Sequence, residues 1–216
     1  MLNFFDLKDI IISVFVTLIA LSGHELAHAW VSHKLGDPTP ENEGRLTLNP
    51  FAHLDPIGTL MMIITGFGWA RPVGINPMYY KHRKAGMILV SIAGPLANFV
   101  MAFIGALIMV VLVILNVKLS VAVPEALIYP IERFIFLNIS LMVFNLIPIP
   151  PLDGSKVLGM LLPENVYFRF LGYERYFIIV IMVLSVTGAL SGILVRGVEI
   201  VFGVLINMVA LMLSWL

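Results

Sequence analysis

The sequence predicts an all-α polytopic membrane protein: a bundle of about five transmembrane helices, one short re-entrant segment, and short β-strands near a buried site. Three observations carry this. The chain is 60% hydrophobic and 12% charged, with a mean hydropathy of +1.00, which lies outside the range of soluble globular domains. Several apolar runs approach or exceed the ~20 residues that a helix needs to cross a bilayer. Ionisable residues sit inside one of those runs at helical spacing, where they are costly and mark function. The net charge of +0 and the lack of a long basic run exclude a nucleic-acid partner. With no cysteine, a disulfide framework and a thiolate metal site are excluded, so a metal falls to His, Asp or Glu. The length suits a small bundle without an added soluble domain.

The first apolar run, residues 10–34, contains Leu21-Ser-Gly-His-Glu-Leu-Ala-His-Ala-Trp30. Asp6, Lys8 and Asp9 give no positive n-region, so the run reads as a membrane span and not as a signal peptide. His24 and His28 are four apart, one above the other on a helix face, and both imidazoles reach a single metal ion. Glu25 is one residue round from His24, close enough to touch a water at that metal without ligating it. That is the mechanical content of H-E-x-x-H: two zinc ligands and a general base for hydrolysis. Ser22, Gly23, Ala27 and Ala29 are small enough to let a neighbouring helix approach.

Residues 35–55 are polar and turn-rich, and the alternation in Arg45-Leu-Thr-Leu48 predicts a short strand. Asp55 reads as an N-cap with Pro56 at the first helical position, and His53 as a polar residue at that helix start. Residues 57–68 are apolar but too short to span, which predicts a re-entrant segment. The cluster Lys81-His-Arg-Lys84 reads as a solvated loop facing lipid headgroups.

Residues 86–115 are uncharged and form a long span, in which Gly94 allows close packing and Pro95 predicts a kink. Asn98 lies in this run and needs a hydrogen-bond partner, either an interhelical packing bond or a substrate backbone. A span over 131–147 ends at Asn145-Leu-Ile-Pro-Ile-Pro-Pro-Leu-Asp-Gly154. Its prolines break the helix and leave carbonyls tolerable at membrane depth only beneath protein or beside a water-filled cavity. Asp153 emerges there, either as a ligand or in a simple Asp-Gly turn. Segments 176–195 and 200–216, separated by Arg196 and Glu199, read as the last two spans.

Two histidines leave a catalytic zinc site one protein ligand short, with the fourth position kept for water. The metzincin continuation fails, because Val31 and Lys34 stand where Gly and His are needed, and His33 points off the face. Asp55, Asp153 and a few loop glutamates remain. Charge placement helps to choose. Lys34, Arg45, Arg71, Lys81, Arg83, Lys84, Lys156, Arg169 and Arg175 fall on one side, against Lys8, Lys118, Arg133 and Arg196 on the other. The positive-inside rule puts the first set in the cytoplasm. This partition requires 57–68 to return on its own side; a full crossing would separate Asp153 from the histidines. Asp153 is the expected third ligand.

His24-Glu-Leu-Ala-His28 in a transmembrane helix, Gly94-Pro95 with Asn98, and Asn145…Pro148…Pro150-Pro-Leu-Asp-Gly154 together resemble the site-2 protease family of intramembrane zinc metalloproteases, over roughly residues 10–165. The resemblance implies three core helices around one zinc ion per chain, with His24, His28 and Asp153 as ligands and Glu25 as base. Asn98 and Asn145 match family positions that hold substrate or the site. It further implies cleavage of transmembrane protein or peptide substrates within the lipid bilayer. Combined with the charge bias, this predicts a multi-pass protein of the cell membrane with its active site toward the cytoplasmic side. Residues 1–165 form the catalytic core on this reading and 166–216 a C-terminal transmembrane hairpin. There is no PDZ insertion or CBS domain, so the chain looks like a minimal member, and Gly154-Ser155 stands where many members have Gly-Gly. Two rival readings use the same residues. A metal or ion transporter would show paired repeats with broken helices in both halves, whereas this chain has one break. An inactive membrane scaffold would have no use for Glu25.

Overall fold

Backbone amides in hydrocarbon have no water to bond, so apolar stretches of this length satisfy their hydrogen bonds internally as helices. The structure is a computed structural model; it describes residues 7–65, 70–158 and 187–214, with scattered positions between 162 and 184. Among the described residues, four helices are long and apolar enough to cross a membrane: α1 (Leu7–Lys34), α4 (Arg83–Lys118), α5 (Glu125–Asn145) and α7 (Ser191–Leu213). Shorter elements lie between them: α2 (Thr39–Asn42), α3 (Pro56–Thr65), α6 (Asp153–Leu158), and 3-10 turns at Pro50–Ala52 and Pro77–Tyr79.

Helix α4 is the central element and packs against α1, α5 and α7. Beyond Asn98, Ala102 and Ala106 of α4, Ile135 and Ile139 of α5, and Leu205 and Val209 of α7 form one buried cluster. Small residues set the helix spacing. A Cβ on Gly105 would come within 2.9 Å of Ile135 Cγ1, and one on Gly197 within 2.6 Å of Val143 Cγ1.

The re-entrant expectation holds. Ten residues of α3 rise only about 15 Å, roughly half a hydrocarbon core. The chain leaves and returns at one place: Leu54 and Ala70 form an antiparallel bridge, and the Arg71 N–H donates to the His53 carbonyl at 2.8 Å. Part of the predicted segment, Gly66 to Phe67 and Gly68, lies outside the described residues. The strand expected at 45–48 is absent. Leu46 and Thr47 form bends, because Asn49 accepts from the Phe51 N–H and starts a proline turn, while the buried Arg45 guanidinium turns inward to the Ala52 carbonyl. Among the described residues, β pairing is confined to the Leu54–Ala70 bridge, and residues 71–75 form no regular element.

The C-terminal region differs from expectation in where its last helix starts. Helix α7 runs without interruption through Arg196 and Glu199, where a turn between two spans was expected. It begins just after Gly188, which turns the chain at φ 73°. Gly197 meets Val143, two residues before the end of α5, so Arg196 sits level with that end and not with Arg133. The expected span 176–195 is described only in part; its described residues Ile181 and Leu190 pack with Leu152 beside the proline loop.

Candidate metal centre

Helical spacing brings His24 and His28 together on α1, with rings 4.6 Å apart between centroids and nearly perpendicular. Their Nε2 atoms are 3.0 Å apart. Asp153, the first residue of α6, closes the group: its Oδ2 lies 3.2 Å from His24 Nε2 and 3.1 Å from His28 Nε2. All three residues are buried. Four ligands at about 2.0 Å around a tetrahedral zinc ion stand roughly 3.3 Å from one another, so these three atoms have nearly the separations of one ion's ligand set.

The hydrogen bonds on the far sides of the rings give a second test of fit. The Nδ1–H of His28 donates to the Val90 carbonyl at 2.7 Å, and that of His24 to Asn98 Oδ1 at 2.6 Å. With Nδ1 protonated on both neutral rings, both Nε2 atoms carry lone pairs. Two lone pairs and a carboxylate oxygen therefore converge on one point, an arrangement that repels itself unless a cation sits among them. Lys156 Nζ lies 3.5 Å from Asp153 Oδ1, which leaves Oδ2 as the oxygen that faces the histidines.

Glycine makes the approach possible. A Cβ on Gly94 would stand 2.5 Å from His24 Cε1 and 2.6 Å from its Nε2, and closer still to His28 Nε2. At the other wall, a Cβ on Gly154 would collide with the Leu146 carbonyl, so the broken helix end folds down against Asp153 only over a bare backbone. Ser155, at the departure from Gly-Gly, is buried and returns its hydroxyl to the Leu152 carbonyl at 2.7 Å.

Glu25 points to a different neighbour. Its Oε2 accepts from the Val73 N–H at 3.1 Å, so the carboxylate is moored to the segment 71–75. That segment is itself tied to the end of α1. Asp37 Oδ2 accepts from the Asn76 N–H at 2.8 Å and from Ser32 Oγ at 2.8 Å, and Tyr80 donates its hydroxyl to Ser32 Oγ at 2.6 Å. Burial alone would raise the Asp37 pKa, but the N–H of Asn76, joined by Thr39 and Ser32, outweighs it and holds the carboxyl below its usual range.

Comparison with known proteins assigns the chain. The sequence profile of peptidase family M50 matches residues 111–191. The protein named "Putative zinc metalloprotease YwhC" of Bacillus subtilis is 42% identical over 174 residues, which cover 81% of this chain and 80% of that protein. The chain belongs to peptidase family M50. Two further relatives carry the same description. Rip2 of Mycolicibacterium smegmatis is 30% identical over 83% of this chain and 70% of its own length. MJ0611 of Methanocaldococcus jannaschii is 32% identical over 71% of this chain and 75% of its own. No solved structure matches the chain. The M50 chain is a zinc metalloprotease with one zinc ion as cofactor, and the His24–His28–Asp153 group fits that ion.

The other singled-out residues of this M50 protein fall around the centre. Asn98 is fully buried, and both ends of its amide are paired inside the protein, to His24 and to Asn138. Asn145 is the last residue of α5; its amide donates to Leu141 in its own helix, and the side chain stays partly exposed. Asp55 caps α3, accepting from the Gly58 N–H at 2.7 Å. His53 is buried and donates Nε2–H to the Thr47 carbonyl, away from the metal group. The sequence reading missed Val73, which acts through its backbone alone, and Asn138. A polar side chain in the apolar run before Asn145 was the available signal for Asn138, because such a group in hydrocarbon must be paired.

Proposed function

We propose that this M50 metalloprotease hydrolyses peptide bonds in or beside transmembrane segments of membrane proteins, with His24, His28 and Asp153 as zinc ligands and Glu25 as general base. The observation that carries this is the convergence of three lone-pair donors inside a bundle of membrane-length helices. When bound, zinc supplies Lewis acidity that polarises the scissile carbonyl and acidifies water. Glu25 accepts a proton from the attacking water and passes it to the leaving amine, and the Val73 N–H anchors its carboxylate. Asn98 serves the site by holding His24, and Asn145, partly exposed at the end of α5, is available to substrate.

A substrate helix hides its amides in internal hydrogen bonds and must unwind before attack. Segment 71–75 is the stretch on which strand addition would hold it. Arg71 and Val73 donate their N–H groups inside the protein, which leaves Gly74 between them and Asn76 as the position to pair with substrate. Orientation with the centre toward the cytoplasm is supported by charge. Moving Arg196 to the metal side changes the expected partition from nine against four to ten against three, in the direction of the positive-inside rule. Residues 1–165 form the catalytic core in this reading, and 166–216 pack behind it.

The test is cleavage of a panel of single-span peptides in liposomes by wild type and Glu25→Gln, with bound zinc quantified in both. Loss of cleavage with zinc retained supports the proposal. Zinc-loaded wild type that cleaves nothing but carries metal flux across the liposomes would favour a transporter.

A further inference from the structure

Between the metal group and the apolar interior, a line of three polar side chains crosses three helices. His24 on α1 donates Nδ1–H to Asn98 Oδ1 on α4 at 2.6 Å. Asn98 donates its amide to Asn138 Oδ1 on α5 at 2.9 Å. Asn138 donates its own amide to the Phe134 carbonyl at 2.8 Å. Asn98 and Asn138 are both fully buried.

The direction of every bond in this line is set from its far end. A backbone carbonyl cannot donate, so Phe134 must receive the NH2 group of Asn138. That leaves Asn138 presenting its oxygen to α4, which compels Asn98 to point its NH2 group toward Asn138 and its oxygen toward His24. Facing an acceptor, His24 keeps its proton on Nδ1 and leaves the Nε2 lone pair free for a metal. If the Asn98 amide were reversed, it would offer a donor to Nδ1. The proton would then move to Nε2, the atom that faces His28 and Asp153.

We propose that Asn138 is a positioning residue of the metal centre: by fixing the direction of the Asn98 amide, it selects the tautomer in which His24 offers Nε2. This rests on the proposed ligand role of His24. Helix α5 thereby contributes to metal affinity without supplying a ligand. Outer partners of metal-bound histidines are worth roughly 10- to 100-fold in metal affinity, and the line extends that influence one residue further out.

The experiment is zinc titration of metal-free protein in nanodiscs, with cobalt spectra as a second readout, for a double-mutant cycle of Asn98→Leu and Asn138→Leu. Asn138→Leu is expected to weaken zinc binding by about tenfold or more and to perturb the cobalt spectrum. Asn138→Asp, in its neutral acid form, keeps an acceptor oxygen toward Asn98 and an O–H donor toward the Phe134 carbonyl, and is expected to restore most of the affinity. The double variant is expected to bind zinc no more weakly than Asn98→Leu alone, because Asn138 acts through Asn98. Thermal unfolding of each variant controls for folding. Unchanged zinc affinity in Asn138→Leu, or losses that add in the double variant, would overturn the proposal. His24→Ala separates this from the underlying reading: if it leaves zinc affinity intact, the ligand assignment fails as well.

Discussion

Helix α4 takes part in two regions built on opposite rules. In its first half, Ser91, Gly94, Pro95 and Asn98 are buried, Gly94 and Asn98 against the histidines of α1, and the polar groups there converge on the metal centre. In its second half, Ala102, Gly105 and Ala106 meet apolar residues of α5, and packing alone holds the helices. Lipid tails are as apolar as leucine, so the second region gains little from burial and relies on close fit. The first is held by directed bonds, each of which specifies a partner atom. The lesson is that one helix carries both tolerance and intolerance, divided near residue 100 by what its neighbours demand.

The largest contrast is between carboxylates. Glu25→Gln is expected to lower kcat by roughly 10²- to 10⁴-fold, the usual worth of a general base, while leaving zinc content at one per chain. Glu132→Gln, an exposed change in the apolar half, is expected to leave kcat within about twofold, as surface substitutions away from a site do. Equal effects at the two positions would erase the comparison.

The glycines sharpen it. Gly94→Ala drives a methyl group into the His24 and His28 rings and is expected to weaken zinc binding by more than about tenfold, judged by the effect of disturbing ligand orientation. Gly105→Ala presses on Ile135 Cγ1, which rotates aside. The expected outcome there is a stability loss of about 1–3 kcal/mol from overpacking, with unchanged zinc affinity. Zinc titration and thermal unfolding on both variants decide the matter.

A smaller effect belongs to the strap beside the centre. Val73→Pro removes the N–H that holds Glu25. A hydrogen bond to a charged group is worth about 1.5–3 kcal/mol, so kcat should fall roughly ten- to hundredfold with zinc content unchanged. Loss of zinc in that variant would mean the segment supports the ligands and not the base.

The smallest expected effect is a pH dependence at Asp37. Its carboxyl is held below the usual range in the folded chain, so the stability it contributes is present above the unfolded carboxylate pKa of about 4 and fades as pH falls further. Wild type should therefore exceed Asp37→Asn in unfolding temperature at pH 7, and the gap should narrow in acid. A constant gap would assign the difference to lost packing.

Much of the site was legible because its residues announce themselves against hydrocarbon. The four-residue spacing of His24 and His28 fixed their shared face, and the shortness of 57–68 with the charge bias brought Asp153 to the same end. Other features were hidden for physical reasons. Alternation at 45–48 suggested a strand, but Asn49-Pro50 and an inward Arg45 made a turn. Arg196 and Glu199 looked like a break, yet they lie within the first turns of α7, near its end, where charged side chains are tolerated. The actual break at Gly188 was marked only by a glycine. Asn138 reads identically from sequence whether it ties two helices or steers a ligand, and only the direction of its bonds tells which.

The most direct measurement is zinc-edge X-ray absorption of the purified protein in nanodiscs, for wild type beside Asp153→Ala. Wild type is expected to hold one zinc per chain, with two imidazole nitrogens and oxygen neighbours at about 2.0–2.2 Å, and the variant to lose its bound zinc. An unchanged zinc shell in Asp153→Ala would contradict this.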